Sequence, residues 1–310
     1  MILALAGGVG GARLANGLAA ILQPGKLRIV VNTADDFDHL GLRICPDLDT
    51  VTYTLAGRNN RELGWGIAGE SWAFLDMLGE LGGEDWFRLG DRDMAMHVLR
   101  TALLREQTLS EVTARLTQRL GITHPIIPMS DDPVRSMVLT DEGELPFQHY
   151  FVRRQCAPCF QSIRFEGVDK ARPSAGFLAA LDDPALEAIV ICPSNPVLSI
   201  DPILALPGLR HRLEQRRVPV VAVSPFIGGK AVKGPAAKIM AELGMAATAE
   251  TIIRHYGSLL DGLVIDHADA ENAADGCPAI LATDTLMRDD EDQARLAREV
   301  LAFARTLARG

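Results

Sequence analysis

Residues 2–12, Ile-Leu-Ala-Leu-Ala-Gly-Gly-Val-Gly-Gly-Ala, run an apolar strand straight into a turn with four glycines in five positions. An unalternating apolar pentad predicts a strand covered on both faces, and such strands belong to parallel sheets flanked by helices. Glycine lets backbone N–H groups approach a ligand without a Cβ in the way, and a helix opening at the turn favours an anion. The run Gly11–Leu22 supplies that helix. Gly8 and Gly10 fit a dinucleotide fingerprint, but Arg13 stands at its third glycine, and no Gly-Lys-Ser/Thr follows as in a Walker A loop. Two readings stay open here: generic phosphate binding at Gly7, Gly8, Gly10, Gly11 and Ala12, or a tight strand-to-helix turn.

Further strand-like runs are Leu27–Asn32, Ala188–Cys192, Val218–Ser224, Gly262–Ile265 and Ala279–Ala282. Helical patterns lie between several of them, including Pro235–Leu243, whose proline suits a first helical position, and residues 290–308. The alternation predicts an α/β fold with an open, doubly wound, mostly parallel sheet. The middle differs. Leu48–Leu55, Ser71–Leu81, Met94–Leu104 and Ser110–Arg119 read as helices. Residues 134–168 read as hairpins, with Asp141-Glu142-Gly143 turning between Arg135–Thr140 and Leu145–Arg153. The expectation is one domain over 1–310: a core of about 1–46 and 171–310, and a helical and hairpin insertion, or cap, of about 47–170.

Charge narrows the partners. A net charge of −9 argues against nucleic acid or an anionic membrane as the main partner. No run of 18 apolar residues predicts a membrane span, and the N-terminus has no basic stretch of a signal peptide. Cysteines at 45, 156, 159, 192 and 277, an odd number, suggest a reduced, cytoplasmic protein.

Three more loops leave strand ends: Asn32-Thr33-Ala34-Asp35-Asp36, Pro193-Ser194-Asn195-Pro196, and Ser224 to Gly234 with Gly228, Gly229, Lys230 and Lys233. In a parallel sheet all would line the crevice at the carboxyl edge, where ligands bind. Lys230 and Lys233 suit phosphate, although solvated lysines are the plainer reading. Pro46-Asp47-Leu48-Asp49-Thr50 opens a helix, and Asp47 could serve merely as its N-cap. Two carboxylates two residues apart beside a phosphate site can also share a hard cation, with Asp35 and Asp36 behind them. Mg²⁺ is favoured, because phosphates supply its remaining ligands. In Trp86-Phe87-Arg88-Leu89-Gly90-Asp91-Arg92-Asp93, Asp91 suits a cap on the following helix. Arg88 and Arg92 suit either a surface ion pair or a charged or carbonyl-bearing ligand. Cys156-Ala157-Pro158-Cys159 lacks the second ligand pair of a zinc site, and His39 and His97 complete no metal motif. A Gly-x-Ser-x-Gly elbow is missing as well.

In this order the motifs resemble the 2-phospho-L-lactate transferase family (CofD/FbiA) of coenzyme F-420 biosynthesis. The likeness runs through Gly7–Ala12, Asn32–Asp36, Cys45–Val51, Leu89–Asp93, Pro128–Val134, Pro193–Pro196, Ser199–Ile203, Val221–Ala236 and Asp284–Met287, nearly the whole chain. It implies a Rossmann-like core, Mg²⁺ dependence and a homodimer. It also implies a phosphotransferase for substituted phosphate groups. The phospho-acyl unit (2-phospholactyl, enolpyruvyl phosphate or phosphoglyceryl) would pass from a guanosine diphosphate-linked donor to the ribityl hydroxyl of the deazaflavin Fo, releasing GMP. The family's Fo-contacting positions fall on Asp49 and Arg88, with Asn32, Thr33, Asp91 and Arg92 around them. Asp47 and Asp49 would hold metal and carry catalysis, Asp49 as base or as ligand. Gly7, Gly8, Gly10, Gly11, Ala12, Ser194, Asn195, Pro196, Ser224, Gly228, Gly229, Lys230 and Lys233 would hold nucleotide and phosphate. Val9 stands where relatives often have threonine, and the Cys-Ala-Pro-Cys segment lies outside the family pattern. A nucleotide-sugar-binding regulator of the gluconeogenesis-factor type is the alternative. The missing third glycine disfavours a nicotinamide oxidoreductase.

Overall fold

The computed structural model describes residues 1–231, 236–272 and 278–307. The chain opens with β1 (Ile2–Ala6), α1 (Gly8–Ile21) and β2 (Leu27–Val31), then a small hairpin of β3 (Phe37–His39) and β4 (Leu42–Ile44). Helices α2 (Pro46–Leu55), α3 (Ala73–Glu80), α4 (Asp91–Leu103) and α5 (Leu109–Arg119) lead to β5 (Ile126–Pro128). An antiparallel unit follows, of β6 (Arg135–Thr140), β7 (Gly143–Pro146) and β8 (Phe160–Glu166). Next come α6 (Ala175–Leu181), β9 (Ala188–Ile191), α7 (Asp201–Leu204), α8 (Leu209–Glu214) and β10 (Val220–Val223). The hairpin β11 (Phe226–Ile227) and β12 (Lys230–Ala231) precedes α9 (Ala236–Glu242) and α10 (Ala249–Tyr256). The chain continues through β13 (Gly262–Asp266) and β14 (Ala279–Thr283) to α11 (Asp290–Thr306).

Among the described residues, seven strands form one parallel sheet in the order β14-β13-β10-β9-β1-β2-β5. Alternate residues of each strand enter two separate cores. Leu3, Leu5, Ile189, Ile191 and Leu263 face one, while Ile2, Ala4, Ala6, Val190 and Val264 face the other. Both faces are therefore apolar, which is why no polar alternation shows in the sequence. The fold is α/β and Rossmann-like, as expected. Strand order runs outward in opposite directions from β1 and β9, so the topological switch point lies between them.

The middle of the chain departs from expectation. Ile126–Pro128, within the 47–170 segment, pairs with β2 as a strand of the central sheet. Leu48 and Val51 of α2 share a core cluster with Leu14 and Leu18 of α1. The segment is thus divided: α3–α5 leave the core between α2 and β5, and the β6–β8 unit leaves it after β5. The strand expected over Leu145–Arg153 ends at Pro146, and His149–Arg153 form a π-helical turn. Phe147 and Phe151, four residues apart, stack with centroids 5.3 Å apart, a helical contact rather than a strand's alternation. Pro235, expected to open a helix, lies outside the described residues. So do Lys233 and Cys277. No helix among the described residues is long and apolar enough to cross a membrane.

Candidate active site at the switch point

The glycine turn and the loop after β9 meet at the switch point. The helix begins at Gly8, three residues earlier than its apolar pattern, so the turn is itself the first turn of α1. A Cβ on Gly7 would lie 2.6 Å from both Asp47 Oδ2 and Ser199 Cβ, and one on Gly10 would strike the Pro193 carbonyl. Gly7 N–H donates to Ser194 Oγ at 3.1 Å. These glycines first serve close packing between the two halves of the sheet; Gly8 and Val9 remain half-buried.

Asp47 reaches this turn from α2. Its Oδ1 accepts from Gly8 N–H at 2.8 Å and its Oδ2 from Asn32 Nδ2 at 3.0 Å. Asn32 in turn accepts from Ala34 N–H at 2.9 Å, so the loop after β2 is shaped to hold the carboxylate. Asp47 therefore caps α1, not its own helix, where Cys45 stands at the N-cap and Pro46 follows. A carboxylate on an α1 amide shows that this helix terminus accepts an anion.

Asp49 goes elsewhere. Positions two apart on a helix are separated by about 200°, and both Asp49 oxygens accept from Arg100 of α4: Oδ2 from Nη1 at 3.1 Å, Oδ1 from Nη2. His97 Nε2 lies 3.3 Å from Asp93 Oδ1, and the Tyr53 hydroxyl donates to the same oxygen. Asp49, Asp93, His97 and Arg100 are all buried. The structure does not bring Asp47 and Asp49 together on one cation, because their helix faces oppose each other and Arg100 occupies Asp49. Sequence reasoning missed Arg100. Its trace is the Asp93-x₃-His97-x₂-Arg100 spacing, an acid and two bases on one helical face.

The acidic company of Asp47 comes instead from the loop after β2. Burial, and after it the charge of Asp47, raises the Asp35 carboxyl well above its ordinary range. Burial pushes Asp36 to about 8, against the opposing pull of Cys45 and Arg100. Burial takes Asp47 to about 6, with the Asn32 and Gly8 hydrogen bonds pulling it back. Among the described residues, Asp35 Oδ1 and Asp36 Oδ1 are buried without a hydrogen-bond partner, and no three His, Cys, Asp or Glu side chains form a ready-made metal cage. Asp47 with the unpartnered Oδ1 of Asp35 fits Mg²⁺, which takes one or two carboxylates and completes its octahedron with water and phosphate.

Thr33 is buried beside Asn32, while Ala12 lies in the core under the turn. Asn195 Oδ1 caps the segment opening at Pro196 through Val197 and Leu198 N–H. Ser224 Oγ accepts from Phe226 N–H, and Lys230 is exposed at the tip of its hairpin. The Arg88 guanidinium stacks on Trp72, 4.4 Å from the ring centroid. Asp91 caps the preceding helix α3 rather than the following one, accepting from Ala73 and Phe74 N–H at 3.2 and 3.0 Å. Glu70 caps α4 in return, through Arg92 and Asp93 N–H, and Arg92 Nη1 donates to the Ala68 carbonyl. Asp91 and Arg92 thereby fix the loop that carries Arg88. Cys45, Cys156, Cys159 and Cys192 are free thiols.

Similarity to known proteins matches this picture. The family model for 2-phospho-L-lactate transferase CofD matches residues 2–301. A phosphoenolpyruvate transferase of Kitasatospora aureofaciens is 42% identical, the match covering 100% of this chain and 99% of the relative. A 2-phospho-L-lactate transferase of Methanopyrus kandleri is 40% identical, covering 98% and 97%. A crystal structure of a UPF0052-family protein from Bacillus halodurans superposes with a TM-score of 0.61 at 14% identity, covering 97% of this chain and 98% of that one, and shows the fold. A seven-stranded parallel sheet, a switch-point glycine turn and full-length identity near 40% converge: the chain belongs to the 2-phospho-L-lactate transferase CofD family, the transferases of coenzyme F-420 biosynthesis.

Proposed function

We propose that this transferase uses Mg²⁺ to move a phospho-acyl group from a guanosine diphosphate-linked donor to the ribityl hydroxyl of Fo. The observation that carries the reading is Asp47, held on the first turn of α1 by Gly8 and Asn32 with Asp35 beside it. Oxygen of the hydroxyl attacks the phosphorus bearing the acid; the bridging P–O bond breaks, GMP leaves, and the hydroxyl proton is lost. Such a transfer needs in-line placement and charge neutralisation more than covalent catalysis. Mg²⁺ held by Asp47 and Asp35 would supply the neutralisation. Asn32 fixes the Asp47 carboxylate, the α1 terminus favours phosphate, and Lys230 adds a cation. Asn32, Thr33 and Arg88 remain the proposed Fo contacts. Asp49, bound to Arg100, acts by anchoring α4 instead of serving as base or metal ligand. A cytoplasmic homodimer completes the proposal.

Relatives at 42% and 40% identity are named for different acids, so the test offers each. Purified protein with Fo, Mg²⁺ and guanylylated phospholactate, phosphoenolpyruvate or phosphoglycerate is expected to give one Fo-linked product by mass. No such product from any donor overturns the reading.

The cation has a separate test in stability. A carboxyl raised in the folded state favours folding fully below its ordinary value of 3.8, and that contribution is lost as pH rises through about 6 for Asp47. A bound cation offsets the loss. The rise in Tm on adding Mg²⁺ is therefore expected to be larger at about pH 8.5 than at about pH 5. Equal rises at the two pH values would remove Asp47 from the cation site.

A further inference from the structure

The hairpin after β10 carries an anion seat that the chain fills with a side chain of its own. Gly228 and Gly229 form the two-residue turn between β11 and β12, both left-handed, with φ of 57° and 69°. Gly228 N–H donates to Asp269 Oδ2 at 3.1 Å, and Gly229 N–H to Asp269 Oδ1 at 2.9 Å. Asp269 comes from the short helical turn His267–Asn272 that follows β13. Two successive amide hydrogens, each on its own oxygen of one anion, are the means by which a backbone concavity holds phosphate. Among the described residues, no lysine or arginine ion-pairs with Asp269. Among the described residues, its charge is met by these glycine amides and not by a cation. Lys230 follows at once and is exposed.

The seat sits on the edge that carries the switch-point site. β10 lies two places from β1 in the sheet, about 10 Å at the usual strand spacing. We propose that Asp269 is a resident stand-in for a nucleotide phosphate. On binding, a phosphate oxygen pair replaces the carboxylate on the Gly228 and Gly229 amides, next to Lys230, and Asp269 swings out. Only the identity of the anion rests on the guanosine diphosphate reading; the seat itself rests on the hydrogen bonds. The consequence is a built-in competitor: every ligand must displace it, so the measured affinity is lower than the seat alone would give.

The test is calorimetric titration of GDP, and separately of inorganic pyrophosphate, into the wild-type protein, Asp269→Asn and Asp269→Ala. Both variants are expected to bind each anion about five-fold tighter than wild type, the effect of removing one half-buried charge near the surface. Unchanged or weaker binding makes Asp269 only a latch on the hairpin and overturns the proposal. A measurement on the wild type guards against misfolded variants. With ¹⁵N-glycine labelling, the Gly228 and Gly229 amide signals are expected to shift on adding pyrophosphate, and unmoved signals overturn the seat. Absence of anion binding by all three proteins also overturns it. Product formation from Fo is read independently by mass, so failure of the transferase reading is seen separately.

Discussion

Asp49→Asn is expected to lower stability by about 3–5 kcal/mol, because it strands the buried Arg100 charge without its partner. In a chain of this size that corresponds to a fall in Tm on the order of 10 °C. In the wild type the Asp49 charge more than reverses the lowering that burial imposes on Arg100; without Asp49 the guanidinium still keeps its proton, being too strong a base to shed it, and bears the cost. Pairing the substitution with Arg100→Met is expected to recover part of the loss, since replacing both partners of a buried ion pair with apolar groups is often close to neutral. Thermal melts of the two single variants and the double variant close the cycle. An unchanged Tm for Asp49→Asn, with turnover gone, would return Asp49 to the chemistry and discard the anchoring role.

Asp47→Asn is expected to do the reverse. Turnover should fall by on the order of 10³-fold, the scale of losing one preorganised electrostatic group at the reacting centre. Stability near neutral pH should change little. The substitution removes a buried carboxylate whose pKa burial has already raised to about 6, and this gain offsets the poorer fit of an amide between the donors Gly8 N–H and Asn32 Nδ2. Steady-state kinetics beside a melting curve separates the two effects. Near-normal kcat would take Asp47 out of the site. The two aspartates, only two residues apart in sequence, thus separate into one that fails in the reaction and one that fails in the fold.

That separation was not legible in the sequence. The Asp-Leu-Asp spacing suggested one shared cation, but the deciding partner, Arg100, lies 51 residues further on. Only contact between α2 and α4 reveals it. The sheet was easier to read. Strands β1, β2, β9, β10, β13 and β14 are apolar on both faces and announce themselves, and the loops at their carboxyl ends follow. β5 escaped because it has three residues, one of them Pro128, with Pro125 just before it, a composition that reads as loop. The role of Asp91 was half legible: a cap was expected, but its two oxygens serve the helix before it because the chain doubles back through residues 68–93. In the Leu145–Arg153 segment, aromatic residues at helical spacing stand inside a β-rich run, and their stacking outweighs the strand pattern.

β5 also settles how the sheet ends. On its inner side, the Pro125 carbonyl accepts from Ile29 N–H and Met129 N–H donates to Val31. On its outer side, Pro128 has no N–H to offer, and its carbonyl already accepts from Ser174 Oγ at 2.7 Å. An incoming strand, from a misfolded neighbour or a second molecule, would find little of a ladder to join there. The proline that makes this strand look like a loop also protects the folded protein against growth of the sheet into an aggregate.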